Sequence, residues 1–320
     1  MKAVGVFRYG GPEVLEVVDL PVPEVGPGQI RIRVHAASVN PSDILLRTGF
    51  TDPMLAGRLT PPYRPGMDAA GVVDAIAPDT ATDLHVGDRV MAIVIPIDPS
   101  GGAYAEYVVV DARQVVRAPA GTTHAEAATL PMNGLTARLA LDVLDLAPGG
   151  WIAVTGAAGA LGGYTVQLAK ADGLSVVADA APADEELVRS LGADVVVSRG
   201  PDVADRFREV VPEGVEAVVD AAVMGPQVLG AIRPGGQLAL ARSVGEPGTV
   251  PLGDTGDVIV RNVFVPEYRY AHDKLDGLRV LAEKGRITLR VAGEYPADQA
   301  ADAHRRFEGG GVRGRLVLTF

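Results

Sequence analysis

The chain contains no cysteine. Disulfides, thiolate metal ligands and a cysteine nucleophile are therefore excluded before any motif is considered. Aromatic residues make up only 5% of it, so Ala, Val and Gly must fill the interior, which suits a closely packed α/β core. No run approaches the roughly 18 consecutive apolar residues that a bilayer span needs. Residues 1–10 lack a signal-peptide core and alternate like a strand, so a cytoplasmic location is expected. Positive charge is in deficit: 29 Lys and Arg stand against 40 Asp and Glu, a formal net charge of −11. A surface of that sign repels phosphate, which argues against nucleic-acid and anionic-membrane partners. The longest basic run, Arg305-Arg306, has the look of a solvated helix face.

At 320 residues the chain exceeds what one core usually organises, so two domains are expected. Short Val/Ile-rich segments at 30–34, 71–76, 89–95 and 106–110 are separated by Pro and Gly, which reads as a β-rich module. A helical pattern covers 123–146 and stops at Ala147-Pro148-Gly149-Gly150. Strands at 151–155, 175–178, 194–197, 215–220 and 237–241 then alternate with helices at 163–171, 184–191 and 226–232. Such continuous β-branched runs with crossover helices indicate a doubly wound parallel sheet. Helices at 273–283 and 297–308 and a strand at 315–320 close the chain.

The first of those strands leads into Gly156-Ala-Ala-Gly159-Ala-Leu-Gly162 and then a helix. Gly156 permits a sharp turn, Gly159 lets backbone approach a pyrophosphate, and Gly162 allows close helix–strand packing. The helix N-terminus offers free N–H groups to the phosphates. The spacing is GxxGxxG rather than GxGxxG, so its weight comes from the context of a strand before it and a helix after it. Tyr270 to Lys274 has the YxxxK spacing of short-chain dehydrogenases, but those enzymes begin with their glycine motif, whereas about 150 residues precede it here. An ordinary helix face is expected for that pair.

Several segments, taken in order, carry a resemblance: Ser38-Val39-Asn40-Pro41-Ser42-Asp43 with Arg47-Thr48-Gly49, Pro65-Gly66-Met67-Asp68, Val86-Gly87-Asp88-Arg89-Val90, Gly102-Ala103-Tyr104-Ala105-Glu106-Tyr107, Gly134-Leu135-Thr136-Ala137, Leu191-Gly192-Ala193-Asp194 and Gly314-Arg315-Leu316-Val317-Leu318. Together they resemble the zinc-independent medium-chain dehydrogenase/reductase family, in its quinone oxidoreductase (zeta-crystallin-like) branch. The resemblance implies an α/β protein: a GroES-like β-rich catalytic domain from residues 1–122 and 267–320, and a Rossmann doubly wound dinucleotide-binding domain from 123–266. It also implies an active site in the cleft between the two domains, and a homodimer formed through the Val-rich edge segment 258–265.

Zinc members of the family carry Gly-His-Glu where this chain has Gly66-Met67-Asp68. His35, His85, His124, His272 and His304 do not cluster at ligand spacing, so no metal is expected and each histidine is assigned a solvated or capping role. Direct hydride transfer to a quinone or an activated double bond remains, which needs a positioned nicotinamide, a dry cleft and a proton source. The resemblance places Asn40 near nicotinamide and substrate, and Thr136 near the nicotinamide. Asp43 either joins Asn40 or caps the helix that follows. Related enoyl-thioester reductases use a tyrosine just after the Arg-x-Gly segment; Phe50 and Thr51 stand there here, leaving Tyr63, in the same loop 50–64, as the substitute or as packing. Asn40, Asp43 and Tyr63 are thus the candidate catalytic residues.

Candidate cofactor contacts are Asn40, Thr136 and the turn residues Gly156, Ala158, Gly159, Ala160, Leu161 and Gly162. Asp179, Ser198, Arg199, Ala221, Ala241, Arg242, Arg313 and Arg315 join them from later strand ends and loops. Asp179, 17 residues after Gly162, sits where an acid would bind a ribose 2′-OH and favour NAD(H). Asp184, Glu185 and Glu186 follow where NADPH-using relatives usually have a lysine. Any of the four arginines could instead meet a 2′-phosphate, and most of the family uses NADPH, so NADP(H) is expected with NAD(H) as the alternative. The expected function is NADPH-dependent reduction of a small-molecule quinone or α,β-unsaturated carbonyl. The alternatives are a dedicated biosynthetic enoyl reductase and a non-enzymatic nucleotide-binding scaffold or sensor.

Overall fold

A computed structural model describes residues 1–55 and 57–320; Ala56, in the loop 50–64, lies outside the described residues. The chain forms two compact units. One comprises Met1–Met132, Pro266–Glu283 and Leu289–Phe320, the other Asn133–Val265 and Lys284–Thr288.

In the first unit β1 (Lys2–Val6) pairs antiparallel with β2 (Leu15–Asp19). β3 (Gln29–Ser38) leads into the helices α1 (Pro41–Arg47) and α2 (Asp52–Leu55). β4 (Asp68–Ile76), β5 (Arg89–Ile93), β6 (Tyr107–Asp111), β7 (Val115–Arg117) and α3 (His124–Ala128) follow, and α4 (Pro131–Leu144) begins in this unit but from Asn133 onward belongs to the second. Alternation decides what β3 buries: Ile30, Ile32 and Val34 point inward while the intervening Arg31 and Arg33 do not. The expected helix 123–146 is two helices, because Pro131 lacks the N–H that would continue the first and instead begins the second.

The second unit contains β8 (Trp151–Thr155), α5 (Ala160–Ala171), β9 (Ser175–Ala180), α6 (Glu185–Ser190), β10 (Val195–Ser198), α7 (Val203–Val210), β11 (Val215–Asp220), β12 (Ile232–Leu240) and β13 (Ile259–Asn262). All six strands are parallel, in the order β10-β9-β8-β11-β12-β13. That is the 3-2-1-4-5-6 order of a doubly wound dinucleotide fold, and the strand order reverses between β8 and β11. α7 escapes sequence inspection because only Val203 and Phe207 are buried in a helix otherwise crowded with charge. The segment 226–232 is 3-10 helix rather than α-helix, over Gly225–Ala231.

The chain returns to the first unit with α8 (His272–Glu283), β14 (Val291–Pro296), α9 (Ala300–Glu308) and β15 (Arg315–Thr319). β15 inserts between β14 and β3, completing a seven-stranded sheet of order β14-β15-β3-β4-β5-β7 with β6 also on β3. Tyr270 precedes α8 and does not share its face with Lys274; Arg113 lies 3.9 Å over its ring. No described helix is long and apolar enough to cross a membrane.

Candidate functional site

The turn after β8 is shaped by backbone. Gly156 has φ +63°, a left-handed conformation that glycine adopts without strain. At Gly162 a Cβ would lie 2.4 Å from the Gly156 carbonyl oxygen, so α5 can sit this close to the turn only without a side chain. Gly159 is the N-cap of α5, three residues earlier than the sequence pattern suggests, and it has no side chain to satisfy the first-turn N–H groups. An uncapped helix N-terminus beside a tight glycine turn, at the point where the strand order reverses, is the arrangement that accepts a pyrophosphate. Ala158, Ala160 and Leu161 complete the loop, Ala158 being buried and the other two half-buried.

Asp179, near the end of β9, points at this turn: its Oδ1 accepts from the Gly156 N–H at 2.6 Å. Burial raises the carboxyl above its usual range, against the pull of the Gly156 and Ala157 N–H groups and of Arg199. A second acid at the reversal point is one that the sequence reading missed. Asp220 ends β11; its Oδ1 accepts from Thr155 Oγ1 at 2.7 Å and from the Ala222 and Met224 N–H groups, and its Oδ2 accepts from Gly225 N–H. It braces the loop that begins at Ala221. Asp179 was singled out by its distance of 17 residues from Gly162, a spacing that does not reach Asp220. Ser198 ends β10 and is exposed with Arg199, while Ala241 and Arg242 follow β12 half-buried. Arg242 is engaged by Glu246 at 3.1 Å and by the Pro247 carbonyl.

The other candidates lie in the first unit, around α1. Asn40 is completely buried, and its Nδ2 donates to Asp68 Oδ2 at 2.6 Å. Ser38 Oγ donates to the same oxygen, and Asp68 Oδ1 accepts from Met132 N–H. Asp43 occupies the third position of α1, and its Oδ2 accepts from the Asn40 backbone N–H at 2.8 Å, so it takes part in capping, as a capping-box partner of the N-cap Asn40 rather than as the cap of a helix that follows it. Its Oδ1 accepts from Gly66 N–H at 2.8 Å, and Tyr104 donates to Oδ2 at 3.2 Å. Burial pushes the Asp43 carboxyl up to about 7 and raises that of Asp68. Two buried carboxyls thus flank Asn40, one holding its backbone and the other its amide.

Tyr63 packs. Its backbone pairs with Val6, its ring stacks on Tyr9 at 5.8 Å, and it borders a groove of about 340 Å³ shared with Leu59, Arg64 and Ser100. Tyr9 in turn donates to Asp52 at 2.5 Å. Thr136 is 5% exposed on α4. Arg313 is half-buried and Arg315 almost wholly buried, Arg315 reaching the Val39 carbonyl and lying near Asp68. The expectation for the histidines fails at three positions. His35 and His124 stack on each other at 4.7 Å, and His304 is fully buried. His304 takes part in a tertiary contact 200 residues away, to Tyr104, which local sequence does not reveal. Among the described residues no three His, Asp or Glu side chains gather as a metal site.

The alcohol dehydrogenase GroES-like domain matches residues 26–120 and the zinc-binding dehydrogenase domain residues 191–318. The human protein named quinone oxidoreductase is 28% identical over 99% of this chain and 97% of its own. The Arabidopsis thaliana NADPH-dependent alkenal/one oxidoreductase, chloroplastic, is 32% identical over 99% of this chain and 79% of its own. The chain belongs to the medium-chain dehydrogenase/reductase family, in its quinone oxidoreductase branch. A solved mycobacterial structure complexed with NADPH superposes with a TM-score of 0.86 at 29% identity, covering 100% of both chains.

This medium-chain reductase therefore carries the GroES-like and Rossmann-like folds expected for it. Its glycine turn, Asp179 and Asp220 meet at one end of the parallel sheet, whereas Asn40, Asp43, Asp68 and Tyr104 meet at one end of α1.

Proposed function

We propose that this medium-chain reductase uses NADPH to reduce quinones and α,β-unsaturated carbonyl compounds without zinc. The observation that carries the reading is the uncapped N-terminus of α5 against the glycine turn at the reversal point of the sheet. The similarity to a named quinone oxidoreductase and a named NADPH-dependent alkenal/one oxidoreductase over nearly the whole chain supports the substrate class. The first unit is proposed as the catalytic domain and the second as the dinucleotide-binding domain. A homodimer through the edge strand β13, where Ile259 is 45% exposed, goes with this reading.

A reduced nicotinamide, when bound, supplies a hydride, and the second hydrogen of the product enters as a proton. In this proposal the N–H groups of Ala160, Leu161 and Gly162 face the pyrophosphate, and Asp179 faces the adenosine ribose while holding the turn through Gly156. That position of Asp179 also keeps NADH as the alternative cofactor. Asn40, held at both its backbone and its amide, gives the α1 corner a fixed shape. Tyr63, with Tyr9 and Asp52 beside it, is the chain's own candidate to deliver a proton to an enone; a quinone takes protons readily from water. The zinc-free part of the reading rests on Met67 and on the lack of cysteine.

The test is NADPH oxidation by the purified protein with 1,4-benzoquinone and a set of enones, with and without a chelator. Turnover unaffected by the chelator is expected. Cofactor binding without turnover on any of them would overturn the proposal in favour of a scaffold. Slower enone reduction but unchanged quinone reduction in Tyr63→Phe would support the proton role of Tyr63; equal rates on both would remove it.

A further inference from the structure

One turn of α9 is matched to one turn of α1. His304 and Glu308 stand four residues apart on α9, and Asp43 and Arg47 stand four apart on α1, so each pair shares a helix face. Arg47 Nη2 meets Glu308 Oε1 at 2.5 Å and Arg47 Nη1 meets Oε2 at 3.4 Å. The second link runs through Tyr104, whose hydroxyl lies 3.2 Å from Asp43 Oδ2 and 3.2 Å from His304 Nε2, the two rings meeting edge to face. Arg47 Nη1 joins the two links by facing His304 Nδ1 at 3.5 Å. Asp43, Arg47, Tyr104 and His304 are all at most 1% exposed.

Arg47 sets the direction of every hydrogen bond in this chain. A guanidinium only donates, so His304 Nδ1 accepts and its Nε2 carries the hydrogen. Nε2 donates to the Tyr104 oxygen, and Tyr104 donates to Asp43 Oδ2. The Asn40 and Gly66 backbone N–H groups are the other two donors to Asp43, so the carboxylate accepts three bonds. Running the chain in reverse would set the N–H groups of Arg47 and His304 against each other. The state of Asp43 at one end of α1 is therefore coupled to the grip on Arg47 at the other.

We propose that Tyr104 and His304 are positioning residues for the proposed reduction, clamping α1 at Asp43 and Arg47 and thereby fixing the Ser38–Asn40 corner and the turn at Gly49. The inference rests on the reading that this segment borders the substrate. The ionisable groups facing Asp43 are Asp68 from β4, Tyr104, His304 from α9 and Arg47 from its own helix; Glu308 acts through Arg47, and Arg315 through Asp68. Burial and Arg47 lower the His304 pKa to about 3, so its imidazole is neutral at working pH, as the hydrogen-bond directions require.

The test pairs an activity profile with a readout that needs no turnover. In wild type, kcat/KM for 1,4-benzoquinone should fall as pH drops through about 7, the value to which Asp43 is pushed. Tyr104→Phe removes a donor to the carboxylate, so this midpoint should rise by about one pH unit. Exchange of the Asn40 and Gly66 amides at neutral pH should quicken by about tenfold in the same variant. His304→Leu should behave alike. His304→Gln, which can offer N–H to Tyr104 and a carbonyl to Arg47, should stay close to wild type in both. Unchanged midpoint and unchanged exchange in Tyr104→Phe and His304→Leu would overturn the clamp and leave the cluster as packing. If wild type turns over no substrate, the proposed function falls, and amide exchange alone decides the clamp.

Discussion

The two candidate regions are built from opposite materials. The turn from Gly156 to Gly162 is backbone: glycines clear the space, an uncapped helix offers N–H groups, and one carboxylate, Asp179, holds the bend. The corner around Asn40 is side chain: Asp43, Asp68, Ser38, Tyr104 and His304 bury their polar atoms against one another, away from solvent. A backbone site is written in consecutive residues. A side-chain site depends on partners that folding brings together. The first should therefore respond to added volume, and the second to loss of an acceptor.

The largest effect is expected at the corner. Asp43→Ala strips three buried donors of their acceptor and should cost about 3–5 kcal/mol of stability, read by urea unfolding; a loss near zero would show that the corner is not held by this carboxylate. At the turn, Gly162→Ala places a Cβ against the Gly156 carbonyl. It should cost about 1–3 kcal/mol and weaken NADPH binding by calorimetry, whereas wild-type affinity in that variant would contradict the close approach. Asp179→Ser should shift the ratio of NADPH to NADH efficiency toward NADPH by about tenfold, and an unmoved ratio would confine Asp179 to bracing the turn.

The smallest effect is in the pH dependence of stability. Asp43, raised from 3.8 to about 7, contributes stability that is present below pH 3.8 and lost as pH rises through about 7. His304, lowered from 6.5 to about 3, contributes stability present above pH 6.5 and lost as pH falls through about 3. Between 3.8 and 6.5 the two slopes oppose each other. His304→Gln removes one of them, so unfolding free energy in that window should fall more steeply with rising pH than in wild type; an unaltered slope would mean that His304 does not titrate across the window.

The same contrast explains what the sequence made legible. Continuous β-branched runs between helical stretches and glycine spacing disclose the parallel sheet and its turn because both are local patterns. Helix α7 escaped because its buried stripe is two residues among charges, and the split at Pro131 was masked by the alanine-rich run around it. Asp43 was legible as a helix-capping residue, but not as the third residue of a helix whose N-cap is Asn40. Its partners were not: Tyr104 is 61 residues from Asp43, and His304 is 200 from Tyr104. No local pattern joins positions so far apart. Asp220 escaped because the spacing from the glycine turn that singles out Asp179 does not extend to it; only the pairing of β11 with β8 brings it beside Thr155.

The most direct test of the account follows the hydrogen itself. NADPH deuterated at nicotinamide C4, one face at a time, would be incubated with the protein and an enone, and the product read by mass spectrometry and NMR. Deuterium at the β-carbon from one of the two labelled forms is the predicted result. Product carrying no deuterium from either form, or no product at all, would contradict hydride transfer and with it the central claim.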